Sequence, residues 1–128
     1  APAKLAGILL ERECDVVIVG FGVNLADHPA LHDRPATSIA ALAGTAPDPA
    51  AFVVQLAEAF ALWLHRWRRD GLDPIRRRWL EAAHPIGTAL STDDAKGLFD
   101  GLDESGALRL RLPDGKVRLI HAGDIFLI

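Results

Sequence analysis

The sequence predicts an α+β fold: an antiparallel sheet packed with helices, followed by a small β-barrel. Three observations carry this. Two apolar runs, "KLAGILLE" (4–11) and "VVIVG" (16–20), are joined by the short polar link "ERECD". A link so short implies an antiparallel pair, because parallel neighbours need a crossover of a dozen or more residues. Helix-start signals and a helical apolar period then run from Ser38 to about residue 83, and from Ile86 the period changes to two.

Each element has its own local reason. The first run carries apolar side chains on both faces, as a strand inside a sheet does. The second is β-branched and continuously apolar, and reads as a second buried strand. Residues 25–37, "LADHPALHDRPAT", hold two prolines and mixed polarity, the pattern of a surface loop. Ser38 is placed to cap a short helix, "IAALAG", which Gly44 ends. Asp48-Pro49 opens a longer helix, with an acceptor at the cap and proline where no backbone donor is needed. Along it Phe52, Leu56, Phe60, Trp63 and Trp67 form one apolar stripe, and Gly71 stops it just after Arg66, Arg68 and Arg69. Asp73-Pro74 repeats the start signal for a third helix, 74–83, which should bury Ile75 and Trp79 and end before His84-Pro85. Beyond it Leu108, Leu110 and Leu112 alternate with Arg109 and Arg111, while Val117 and Leu119 alternate with Lys116 and Arg118. Turn signals fall at "TDDAKG", "DESG" and "PDG". About five short strands in the last 43 residues give a barrel of SH3-like size, too small to be robust alone.

Composition narrows the function. With 128 residues, half of them apolar, the chain has room for one compact unit, or for one domain and a small module. A net charge of −3 argues against a general electrostatic binder of nucleic acid. The lone cysteine, Cys14, allows neither an internal disulfide nor a CxxC metal site. Glu13 and Asp15 beside it disfavour a thiolate, so it reads as a strand residue rather than a nucleophile. No apolar stretch reaches the roughly 20 residues a membrane span needs, and the first residues lack the pattern of a secretory signal. The expected setting is soluble, reducing and cytoplasmic, with no membrane partner. The strand pattern starts at about Lys4 with almost nothing before it, which leads to the expectation that the chain begins inside a larger domain.

The chemistry concentrates where the second apolar run ends, at Gly20-Phe21-Gly22-Val23-Asn24. A dinucleotide fingerprint would need a third glycine where Leu25 stands, and "ADHP" does not open a helix. The glycine pair is then either a plain strand end or a place where a ligand meets the backbone. Lys4 has two readings as well: a lysine snorkelling to water, or a cation set to meet an anion. In a hairpin, Lys4 lies at the end that carries Gly20 and Gly22.

Taken together, "KLAGILLE", "VVIVGFGVNL" and "ATSIAALAG", in that order and spacing, resemble the biotin protein ligase family, biotin–[acetyl-CoA carboxylase] ligases. The tail "GLDESGALRLRLPDGKVRLIHAGDIFLI" is similar to that family's small C-terminal domain. The resemblance implies that residues 1–84 are the C-terminal part of a class II synthetase-like, biotin–lipoate ligase catalytic domain, and that 85–128 are the SH3-like domain. It implies biotin and ATP as substrates, with Mg2+ accompanying ATP, a biotinyl-5′-AMP intermediate, and transfer to a lysine of the biotin carboxyl carrier protein of acetyl-CoA carboxylase. By that resemblance Lys4 is the catalytic cation facing the biotin carboxylate and the α-phosphate. Gly7, Ile8 and Leu9 would line biotin, while Gly20, Gly22, Val23 and Asn24 would border the adenylate. Asp124 is a candidate nucleotide contact.

Two family segments that should precede Lys4 are absent: a Gly-Arg-Gly-Arg phosphate loop and a strand with Lys-Trp-Pro-Asn-Asp. The resemblance therefore implies that this chain supplies part of an active site and that the N-terminal half of the catalytic domain is its partner. No helix-turn-helix domain for binding DNA is visible in the sequence, and a homodimer through the sheet is implied by resemblance alone. Ile128 stands where an arginine often follows Asp124. The family's adenine-covering loop falls on "DHPALHDRPA" (27–36), without assignable residues. Other readings remain: a non-catalytic biotin- or adenylate-binding or protein-interaction module, or a nucleic-acid binder using Arg66, Arg68, Arg69, Arg76, Arg77 and Arg78. That arginine cluster also fits helix-end charge complementarity on a solvated face. Among the histidines only His28 and His32 are four apart, and Pro29 between them opposes a helical metal pair.

Overall fold

The computed structural model describes residues 3–30 and 35–128. The chain divides into two compact units, 1–58 and 59–128, and each is taken by itself.

In the first unit β1 (Ala6–Glu13) and β2 (Val16–Val23) form a two-stranded antiparallel sheet, as the short link requires. β1 is as long as the run 4–11 but shifted two residues along the chain, and β2 extends three residues beyond the run 16–20. Pairing continues through Glu13↔Val16, so most of "ERECD" is strand and only Cys14-Asp15 turns. Cys14 is therefore a turn residue, not a strand residue: its φ is 53°, the positive value a two-residue hairpin demands. Its carbonyl accepts from Arg12 Nε at 3.0 Å. The two strands are also not buried. Ile8 and Leu10 on one face, and Leu9 and Val16 on the other, are each more than 60% exposed.

The next described element after β2 is α1 (Ile39–Ala43). Ser38 caps this helix, its Oγ accepting from Ala41 N at 3.2 Å, and Gly44 ends it in the left-handed region. α2 (Pro49–Asp70) starts as its Asp-Pro signal indicates, with Asp48 Oδ2 accepting from Ala51 N at 2.9 Å. This helix runs from the first unit into the second. Its expected apolar stripe is only partly covered: Phe52, Leu56 and Trp63 are half-buried, while Phe60 and Trp67 are exposed.

The second unit contains the last part of α2, α3 (Asp73–Ala82), and a five-stranded antiparallel sheet. α3 begins one residue earlier than its Asp-Pro signal suggested. Leu72, whose side chain has no acceptor, occupies the cap, and the Asp73 carboxylate pairs with Arg76 at 2.7 Å. Trp79 was expected to be buried and is half exposed, although its ring meets Phe99 edge-on at 6.2 Å. The strands are β3 (Ala89–Ser91), β4 (Lys96–Leu102), β5 (Leu108–Arg111), β6 (Val117–Ile120) and β7 (Phe126–Leu127), in the order β6-β5-β4-β3-β7. The expected strand number is present, but the barrel is not closed: β6 and β7 are opposite edges, and a two-residue β7 has little ladder with which to seal them. The core of this unit is Leu90, Phe99 and Leu110, flanked by Leu80, Leu108 and Ile120. Period two set this inside-out alternation, with Leu110 fully buried between Arg109 and Arg111.

Candidate functional site: the glycine face of the hairpin

Pairing register decides which side chains share a face. Gly7 lies opposite Gly22, and Leu9 lies opposite Gly20. Residues directly opposite in an antiparallel pair project to the same side, and successive residues alternate. Gly7, Leu9, Gly20 and Gly22 therefore share one face. Ile8 and Val23 project from the other face, with Ala6 and Phe21 opposite them. A ligand lying on the glycine face meets Ile8 and Val23 through their backbone only.

The three glycines are not explained by the chain's own packing. None of them has a positive φ. A Cβ added at Gly22 would meet nothing within 4 Å, and one at Gly20 would make ordinary contact with Leu9 at 3.7 Å. Gly97 in β4 shows the contrast, since a Cβ there would collide with the Arg111 carbonyl at 2.5 Å. Gly97 is a packing glycine. Gly7, Gly20 and Gly22 instead leave a strip of bare backbone open to the outside, and an in-strand glycine without a packing reason marks close approach by another molecule.

Lys4 stands at the head of that strip. Its Cε and Nζ pass over Gly7, 3.8 and 3.9 Å from where a Cβ would be. A Cβ at Gly7 would make ordinary contact with the lysine side chain. Lys4 is exposed, and its backbone is held by a short parallel bridge to Ala36. Lys4 N donates to Pro35 O at 2.8 Å, and Thr37 N donates to Lys4 O at 3.0 Å. Sequence reasoning missed this bridge, because 25–37 reads only as a proline-containing loop. The β-branched Thr37 just before the Ser38 cap was the available signal.

Asn24 is tied to the chain by several hydrogen bonds. Its backbone N donates to Leu5 O at 3.0 Å and its carbonyl accepts from Ile39 N at 2.9 Å. Its Nδ2 donates to Thr37 O at 2.9 Å and, at a longer 3.4 Å, to Lys4 O. Both contacts of the side-chain amide nitrogen are thus to carbonyls of the chain itself. Ser38, 1% exposed, adds a second tie, its Oγ donating to Ala26 O at 3.1 Å. Both ends of the loop between Asn24 and Ser38 are thus fixed. Residues 31–34, including His32 of the His28/His32 pair, lie outside the described residues.

Asp124 belongs to the second unit and is exposed. It lines a shallow depression with Asp93, Asp94, Arg118 and His121. Arg118 pairs with Asp94 and, with Thr92, holds that carboxyl below its usual range. The arginine cluster is largely spoken for. Arg69 pairs with Asp70, Arg76 with Asp73 and Arg78 with Glu81, and Arg66 sits 4.8 Å from the Trp63 ring centre. Only Arg68 and Arg69 lie in a last helical turn, that of α2, where the dipole favours cations; Arg76, Arg77 and Arg78 lie outside the last turn of α3. No three His, Cys, Asp or Glu side chains gather into a metal-binding group among the described residues, and no described helix is long and apolar enough to cross a membrane.

Residues 88–128 match the family model described as biotin protein ligase C terminal domain. Over 137 aligned residues the chain is 40% identical to a biotin–[acetyl-CoA-carboxylase] ligase of Paracoccus denitrificans, covering 96% of this chain and 57% of that protein. The likeness recognised in this chain is to the biotin protein ligase family. It is also 30% identical to a bifunctional ligase/repressor of Bacillus subtilis, over 95% of this chain and 41% of that protein. The chain thus spans about half the length of these relatives. A biotin protein ligase from Aquifex aeolicus superposes with a TM-score of 0.87 at 19% identity, over 98% of this chain and 59% of that one. At that identity the likeness speaks to the fold alone. It confirms the predicted class, mixed helix and antiparallel sheet, on biotin ligase topology.

Proposed function

We propose that this chain is the part of a biotin–[acetyl-CoA carboxylase] ligase that carries one wall of the biotinyl-adenylate site. The observation that carries the reading is the strip Gly7-Gly22-Gly20, open and unexplained by internal packing, with the Lys4 ammonium at its head. An Aquifex aeolicus relative was solved in complex with biotin and ATP, which supports those two as substrates. Mg2+ is expected to arrive with ATP and to be held largely by phosphate oxygens, as that ion prefers.

The chemistry asks for positioning and charge stabilisation rather than a protein nucleophile. A biotin carboxylate oxygen attacks the α-phosphorus of ATP, the bond to the bridging oxygen breaks, and pyrophosphate leaves. Lys4 would draw the carboxylate and the α-phosphate together and offset the negative charge that builds between them. The bare backbone of Gly20 and Gly22 lets the flat ligand lie against the strand, with Gly7 and Leu9 beside biotin and the backbone of Ile8, Val23 and Asn24 at the rim. A lysine amine of the carrier protein then attacks the acyl carbon, and AMP leaves. Asp124 remains a proposed nucleotide contact from the small domain.

In this reading residues 1–84 are catalytic and 85–128 form the C-terminal domain. The exposed apolar faces of β1 and β2 are where the remainder of the catalytic domain would pack, since a two-stranded sheet is marginal in water. The test is biotin-dependent exchange of pyrophosphate into ATP by the full-length ligase. Lys4→Ala should slow exchange by about 10²–10³-fold, the usual cost of losing a preorganised donor. Exchange within twofold of the parent enzyme would remove Lys4 from the site.

A further inference from the structure

We propose that Asn24 is a positioning residue for Lys4, acting through the hydrogen bonds of its side-chain amide. The inference rests on the role proposed above for Lys4. Four bonds meet at Asn24: backbone N to Leu5 O, backbone O from Ile39 N, and Nδ2 to both Thr37 O and Lys4 O. The Lys4 carbonyl receives two of the donors in this knot, Thr37 N and Asn24 Nδ2. Lys4 N is fixed in turn by Pro35 O. The backbone from which the lysine side chain leaves for Gly7 is thus held between the end of β2 and the segment leading into α1.

The chemistry explains the residue type. Two carbonyls must be served by one short side chain, and asparagine places two N–H donors on one nitrogen at that reach. Aspartate would set anionic oxygens against two carbonyl oxygens, and alanine would leave the Thr37 carbonyl, part-buried here, without this donor. A small shift of the Lys4 backbone is carried to its ammonium, and displacing a group by about 1 Å can cost on the order of 10²-fold in rate.

The experiment has two arms on the full-length ligase. In the first, hydrogen exchange is followed by mass spectrometry in Asn24→Asp and in the milder Asn24→Ser, which keeps one donor. Exchange should rise in peptides covering 3–7 and 35–39 while the β4–β5 peptides stay at the parent rate. Unchanged exchange at 3–7 overturns the proposal. In the second, adenylate formation is measured in Asn24→Ser, in Lys4→Ala and in the double variant. Asn24→Ser should lower kcat about 10-fold with KM for biotin little changed, and should have no further effect once Lys4 is alanine. Losses that multiply in the double variant overturn it, because Asn24 would then act independently of Lys4. If Lys4→Ala alone leaves the rate unchanged, the ligase role of Lys4 fails, and the exchange arm still decides whether Asn24 holds the Lys4 backbone.

Discussion

Asp103 shows how one carboxylate can organise a turn. Its Oδ1 accepts from Ser105 Oγ, from Ser105 N and from Ala107 N, all within 2.9 Å. The Ser105 hydroxyl contributes most to holding its carboxyl below the usual range, with the two backbone donors and His121 adding to the effect. Its pKa is lowered on folding, so the unfolded chain binds the proton more readily. The contribution to stability is then fully present above the ordinary carboxylate value of about 4 and is lost as pH falls through the lower, folded value. Asp103→Asn should flatten the acid limb of a melting-temperature profile between about pH 5 and pH 2. A limb of unchanged steepness would mean that this turn does not couple to folding. At the same scale lies the contrast among glycines. Gly97 is explained by a backbone 2.5 Å away, while a Cβ at Gly22 would meet none of the described atoms within 4 Å, which is why Gly22 is proposed for a site.

At the scale of elements, local signals located the helices well and misjudged environments. Ser38 and Gly44 bracket α1, and Pro49 opens α2, because capping is settled by a few adjacent backbone groups. Ser38 also reaches Ala26 O, so its hydroxyl serves two partners. Ser38→Ala should cost about 1–2 kcal/mol, read from denaturant unfolding, and should loosen the loop it anchors. A loss under about 0.5 kcal/mol would show that the second bond carries no weight. The hairpin was legible as antiparallel from link length, yet its exact turn was not. "ERECD" looks like a polar turn because polarity tracks exposure, and in this hairpin polar Glu11 and Arg12 are simply exposed strand residues. The side chains of Ile8 and Val23 were grouped with Gly7 and Gly22 because linear proximity hides the alternation that separates them. The Asn24 knot was invisible for a related reason: its partners at Thr37 and Ile39 are brought close by a loop whose path no local pattern specifies.

For the molecule as a whole, the two units differ in how much they complete by themselves. The second unit has a core, centred on Leu110 and Phe99, and its period-two pattern was enough to give strand number and inside-out alternation. Closure into a barrel was not readable, because it depends on edge strands only two and four residues long. In the first unit the apolar pattern of β1 and β2 marks two strands and leads to the expectation of burial inside a sheet, whereas both faces are exposed. That mismatch is what the proposed one-wall site would produce.

The central claim is that the open glycine strip receives the ligand, and Gly22→Trp tests it most directly. A side chain at Gly22 points into space that no atom of this chain occupies within 4 Å. Calorimetric titration of the full-length variant with biotinyl-AMP should show affinity reduced by at least about 100-fold, or lost, with the thermal unfolding of the small domain unchanged. Parent-like affinity for biotinyl-AMP in a folded Gly22→Trp enzyme would contradict the account.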